Sequence, residues 1–189
     1  MTLPLTPSQT VGPFFSIGLD RLSTTDLAGA DLPGERITIS GRILDGDNQP
    51  VPDALLEIWQ ADACGNFHHP ENPYQHTQIA NFPGFGRIPT NALGEFRFTT
   101  IKPGQVPGPN NEAQAPHLSI TIFMRGLLKH LTTRLYFSNE STNDADFALN
   151  LIEPSRRATL VARPSPENPS AFLWDVHLQG PHETVFFDV

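Results

Sequence analysis

Cysteine is almost missing from this 189-residue chain. Cys64 stands alone, which excludes an internal disulfide and a cluster of thiolate metal ligands. A single small residue beside a turn, it reads as chemically inert. Positive charge is scarce as well: 12 Lys and Arg face 20 Asp and Glu, a net charge of -8 with no basic run, so the phosphate attraction used by nucleic-acid binders is excluded. No apolar stretch reaches the roughly 18 residues a membrane helix needs, and the opening MTLPLTPSQT has neither the basic nor the apolar region of an export signal. The expectation is a soluble, cytoplasmic chain with neither nucleic acid nor membrane as partner. G-x-S-x-G, phosphate-loop and paired-cysteine motifs are also lacking, so hydrolase and nucleotide readings have nothing to rest on.

What is abundant is punctuation. Nineteen prolines and 14 glycines break the chain into short pieces, while 38% hydrophobic residues are enough for one core and exclude wholesale disorder. The length suits a single domain over 1–189. Residues 1–34 show no sustained period and end in Pro-Gly, so they read as an extended arm. Segments of strand length follow: ERITISGRILD, ALLEIWQAD, EFRFTTI, HLSITIFMRG, LTTRLYF, ATLVARP, AFLWDVHLQG and TVFFDV. Turn chemistry in DGDNQPVPD, DACGN and NALGE separates the first of them. The predicted fold is all-β, an antiparallel β-sandwich with long loops. Only NDADFALNLI reads as helical, with Asn143 or Asp144 as its cap.

Candidate chemistry concentrates in three places. The loop from about Gly65 to Arg87 holds His68, His69, His76 and Tyr74, donors that suit a ferric ion but match no ligand spacing. In APHLSITIF, alternation puts His117, Ser119 and Thr121 on one strand face and Leu118, Ile120 and Ile122 on the other. Two histidines at i and i+2 would chelate a metal; here the second position is Ser119, and a lone strand histidine is more commonly a hydrogen-bonded structural residue. In LTTRLYF the same alternation places Arg134 with Thr132 and Tyr136 on a polar face, either solvated or clamping a carboxylate.

Several pieces in order, TPSQTVGPF, GRILDGDNQPVPDALLEIWQADACGNF, NFPGFGR, GEFRFTTIKPG, APHLSITIFMRG, LTTRLYF and ETVFFDV, closely resemble the intradiol ring-cleaving dioxygenases. The likeness covers nearly the whole chain. It implies a non-haem ferric ion held by two tyrosines and two histidines, and cleavage of a catechol by O2 between its hydroxylated carbons. The iron-binding chains of the family read Arg-Pro-Ala-His-Ile-His and Lys-Pro-Gly-Pro-Tyr-Pro-Trp. Here the first motif is Gln114-Ala115-Pro116-His117-Leu118-Ser119 and the second Lys102-Pro103-Gly104-Gln105-Val106-Pro107. Ser119 and Val106 therefore stand where a histidine and a tyrosine ligand would be, and His117 is left as part of a degenerate site. Tyr74, in its irregular loop, has no fixed correspondence to the other tyrosine.

Within the family the chain is similar to alpha-type chains, which implies an (alpha-beta)n complex whose homologous beta chain holds Fe(3+). By the same resemblance Thr10, Gly12, Pro13 and Arg134 border the partner's substrate pocket, and the 1–34 arm packs on the partner. Phe14, Phe15, Phe82 and Phe85, all in irregular segments, are the expected apolar contacts. Two other readings stay open: a self-sufficient dioxygenase with ligands from Tyr74, His76 and His117, and a non-enzymatic sandwich module. Iron analysis of the single chain separates the first; a chain that never associates with a dioxygenase subunit marks the second.

Overall fold

A computed structural model describes residues 5–29, 31–71, 79, 81–109 and 112–188, with the backbone alone at Ser16. Tyr74 and His76 lie outside the described residues. The regular structure is mostly strand: β1 (Arg36–Leu44), β2 (Leu55–Gln60), β3 (Phe85–Pro89), β4 (Glu95–Ile101), β5 (Val106–Pro107), β6 (Ala113–Gln114), β7 (His117–Phe123), β8 (Leu131–Phe137), β9 (Val161–Ser165), β10 (Asn168–Leu173) and β11 (Val176–His177). Helices are few and short: α1 (Phe14–Leu19), α2 (Phe147–Asn150) and α3 (Pro154–Arg157).

One path runs β11-β1-β10-β9-β8-β7-β2-β3, with β4 also paired to β1. β9 is its hinge: Val161 and Ala162 pair with β8, whereas Arg163 to Ser165 pair with β10. The two flanks share one apolar core, with Ile37 and Ile39 of β1, Phe96 and Phe98 of β4 and Phe172 of β10 on one side. Leu56 and Ile58 of β2, Leu118, Ile120 and Ile122 of β7, and Leu135 and Phe137 of β8 lie on the other. Phe137 meets Phe172 edge-on, with ring centroids 5.0 Å apart.

The expectation of an antiparallel sheet needs correction, because the sheet is mixed. β1 pairs in parallel with β10 and β11, and β8 with β9. A parallel pair needs a long crossover, and residues 138–160 supply one between β8 and β9, with α2 and α3 inside it. β3 was hidden in a stretch rich in glycine and proline; its pairing with β2, from Leu55↔Pro89 to Trp59↔Phe85, overrides weak local propensity. Among the described residues TVFFDV makes only an isolated bridge, Thr132↔Phe187. Even so the tail seals β8's free edge, since Phe187 N donates to Thr132 O and the Thr133 hydroxyl to Val185 O.

The arm is not extended throughout. Gly12 O accepts from Phe15 N and α1 follows directly. Part of its second half enters the chain's own core: Leu27 and Ala28 are buried. Thr24 N donates to Arg87 O on β3, while Leu27 N and Thr25 O bond across to Thr99 on β4, so the arm closes the gap between two strand edges. Phe82, expected on a partner surface, is likewise buried, against Ala28 and Ile101. Phe14 is exposed, and Phe15 packs on Phe123 at 5.5 Å.

Candidate functional site

The residues expected to mark a degenerate ligand set lie in β7, with His117 and Ser119, and in the β5-β6 ladder that precedes it, with Val106. The turn after β2 is built on Asp62, whose carboxylate accepts from Cys64 N, Asn66 N and Ile79 N. Gly65 sits in this turn at φ +83°, where a Cβ would lie 1.9 Å from Gln105 O, so only glycine lets the turn close onto the Val106 segment. Val106 is buried and pairs with Gln114 in the small β5-β6 ladder. That ladder delivers Gln114 and Ala115 to the mouth of β7, where His117 stands opposite Tyr136 and Ser119 opposite Arg134 on β8.

His117 is buried, and a ring nitrogen, Nδ1, lies 2.8 Å from Ala115 O. Burial first, and then the nearby Arg134 guanidinium, lower its pKa to about 4. The imidazole is neutral at physiological pH. Tyr136 beside it, ring centroids 5.5 Å apart, is fully buried, and burial pushes its phenol up to about 12. The polar strand face expected from alternation is therefore not open to water at Tyr136. A second apolar cluster of Ala115, Tyr136, Leu149 and Leu160, with Val185 and Phe187 packed against it, closes over it.

Under that cover runs a chain of hydrogen bonds. Arg134 Nη1 donates to Gln114 Oε1 at 2.8 Å and to Tyr136 Oη at 3.1 Å; the phenol donates to Asp146 Oδ1 at 3.1 Å. Asp146 also accepts from Ala115 N at 2.8 Å and Leu149 N at 2.9 Å. The carboxylate caps α2, so Asp146 takes the role that Asn143 or Asp144 was expected to fill. Asp146 and Gln114 were missed as site residues. The signal for Asp146 was an acid immediately before the short apolar run FALN; Gln114 left no signal, because nothing local shows that β6 ends beside β8.

Thr10, Gly12 and Pro13 lie at the other end of the same hairpin. Thr10 Oγ1 accepts from Gly126 N, in the loop joining β7 to β8, at 2.9 Å. Pro13 precedes the first residue of α1. A cleft of about 270 Å³ between the arm and β8 is lined by Ser8, Thr132 and Phe187, and Arg134 lies over the Phe187 ring at 5.9 Å. The fold thus sets the arm and Arg134 along one hairpin without direct contact among the described residues. His68 and His69 are exposed in their loop, and His69 Nδ1 accepts from Glu71 N.

The described residues do not fit a ferric ion here. Val106 has no donor, Ser119 offers a neutral hydroxyl, and the cation Arg134 is Ser119's cross-strand neighbour. Among the described residues no three His, Cys, Asp or Glu side chains come together in a metal-holding group.

Comparison with known proteins gives a consistent result. The family described as Dioxygenase matches residues 12–180. The protocatechuate 3,4-dioxygenase alpha chain of Burkholderia cepacia is 42% identical over 204 residues, covering 100% of this chain and 99% of that one. The beta chain from the same organism is 38% identical over 109 residues, 57% of this chain and 46% of that one. Among solved structures, the dioxygenase domain of a dioxygenase carbohydrate-binding fusion from Streptomyces sp. SirexAA-E superposes with a TM-score of 0.64 at 28% identity, covering 95% of this chain and 99% of that one.

Proposed function

The chain belongs to the intradiol dioxygenase family, and from that premise we propose that it is the alpha chain of a protocatechuate 3,4-dioxygenase. The observation that carries this is similarity to a protein of that name along the full length of both chains. The family is iron-dependent. We assign the Fe(3+) of this enzyme to a homologous beta chain in an (alpha-beta)n complex. Support comes from the similarity to a beta chain and from a donor set in this chain that does not fit the ion. The complex joins protocatechuate to O2, opens the ring between its two hydroxylated carbons, and places both oxygen atoms in 3-carboxy-cis,cis-muconate. We further propose a cytoplasmic role in aromatic catabolism; no helix among the described residues is long and apolar enough to cross a membrane.

In this reading the whole chain acts as one domain that walls the partner's pocket. Thr10, Gly12 and Pro13 line it from the arm, anchored through the Gly126 contact, and the exposed Phe14 and Ile17 of α1 cover part of the partner. Arg134 supplies the positive charge that draws a carboxylated catechol into an acidic protein. It is half-buried with no carboxylate ion pair among the described residues, so its charge is not already neutralised.

The test is reconstitution with the beta chain of the same source. The expected result is a co-purifying complex that contains iron and cleaves protocatechuate, while this chain alone holds no stoichiometric iron. In that complex Arg134→Ala should lower kcat/KM for protocatechuate by roughly ten- to a hundredfold and affect catechol far less. A single chain that binds one ferric ion and turns over substrate would establish the self-sufficient reading instead.

A further inference from the structure

Resting on the carboxylate-reading role proposed for Arg134, we infer that Tyr136 and Gln114 are positioning residues that aim its guanidinium, with Asp146 anchoring the assembly. The hydrogen-bond directions leave little freedom. Gln114 Nε2 donates to Pro107 O at 3.0 Å, so its Oε1 must face Arg134, 2.8 Å from Nη1. The Tyr136 phenol has one proton and gives it to Asp146, so toward Arg134 it can only accept, at 3.1 Å. The Phe187 ring supports the guanidinium face at 5.9 Å. A long side chain is thus fixed from β6, from its own strand and from the tail, and its rotamer freedom is already lost before a ligand arrives.

The placement of the negative charge matters as much. Asp146 is fully buried and accepts from Ala115 N, Leu149 N and the phenol. It stabilises Arg134 only through the intervening hydroxyl. A carboxylate bonded directly to the guanidinium would compete with an anionic substrate, whereas the neutral phenol does not. Arg134 Nε and Nη2 make no hydrogen bond among the described residues, which leaves a two-donor edge of the kind that binds a carboxylate side-on. The ligand class is a planar aromatic carboxylate, and the residues that select it lie in the iron-free chain.

The experiment uses the assembled alpha-beta holoenzyme with Tyr136→Phe, Gln114→Leu and Arg134→Ala, alone and in pairs, and reads kcat and KM for protocatechuate and catechol. Each positioning variant should raise KM for protocatechuate about three- to tenfold, with kcat and both constants for catechol within about twofold of wild type. Catechol turnover in the same preparation shows that the complex is intact. Adding Tyr136→Phe to Arg134→Ala should produce no further loss. Equal losses for both substrates, an additive double variant, or no change at either position would overturn the inference while Arg134→Ala still discriminates between substrates. If Arg134→Ala itself affects both substrates alike, the role assigned to Arg134 falls and the inference with it.

Discussion

The two faces of the β7-β8 hairpin share one backbone and differ in everything that is packed on it. The inner face, with Leu118, Ile120, Ile122, Leu135 and Phe137, meets the opposite flank of the sheet in an apolar core. The outer face carries His117, Ser119, Arg134 and Tyr136, and is closed by the crossover after β8 and by the tail. The inner face is held by area and volume, so its contributions are many, small and interchangeable. The outer face is held by directed bonds to a few buried polar groups, so removal of one leaves others unsatisfied. A strand pair can thus carry apolar packing on one side and a directed polar network on the other, provided the polar side is roofed by a segment that supplies its partners.

The sharpest way to break this contrast is Asp146→Ala. It leaves two backbone N–H groups and a phenol without an acceptor under the outer roof, at a cost on the order of 3–5 kcal/mol. Thermal unfolding of the complex should show it as a large drop, or as loss of soluble complex, with Asp146→Asn less affected. A stability near wild type for the alanine variant would show that the roof does not depend on that carboxylate.

Next in size is the pH response of His117. Its folded pKa is lowered to about 4 from an ordinary value of 6.5, so the unfolded chain takes up a proton that the folded chain refuses. The resulting stabilisation is complete above pH 6.5 and is lost progressively as pH falls toward 4, about 3 kcal/mol in all. Denaturation midpoints measured across that interval should fall in wild type. A His117→Gln variant should show a shallower fall, and identical slopes would mean that the imidazole is not held neutral by its surroundings.

On the inner face, Ile120→Val removes one buried methylene and should cost only about 1 kcal/mol, with substrate discrimination unchanged. A change in the ratio of protocatechuate to catechol turnover would show that the two faces are coupled through the strand. Smallest of all is Ser119→His, which introduces the ligand type that the family resemblance implies at this position. Its effect on iron content of the isolated chain should be nil, because Val106 still offers no donor and Arg134 stays the cross-strand neighbour. Metal analysis and visible absorption would check it; one iron per chain would mean that Ser119 alone marks the lost site.

The inner face was legible without coordinates. In HLSITIF and LTTRLYF the apolar residues fall at a two-residue period, and the core contains them at the expected positions. The outer face was only half legible. Alternation put His117 with Ser119 on one strand and Arg134 with Tyr136 on another, yet nothing local said that these two faces would adjoin, that they would be covered, or that Tyr136 would be fully buried there. Asp146 lies 31 residues from Ala115, and Gln114 lies 20 from Arg134, so both bonds exist only after the crossover and the β5-β6 ladder have folded.

The sequence by itself determined the strand-rich character, the apolar face of each long strand, and the absence of an internal disulfide. These follow from residue identity and short-range periodicity, which the backbone reads locally. Tertiary structure alone decided that the sheet is mixed, that Leu27 and Ala28 of the arm enter the chain's own core, and that β3 is a strand. It also decided that Arg134 is held by a phenol and an amide rather than by a carboxylate. Each of these is a pairing between segments far apart in sequence, and its free energy depends on what the rest of the fold brings to the same place.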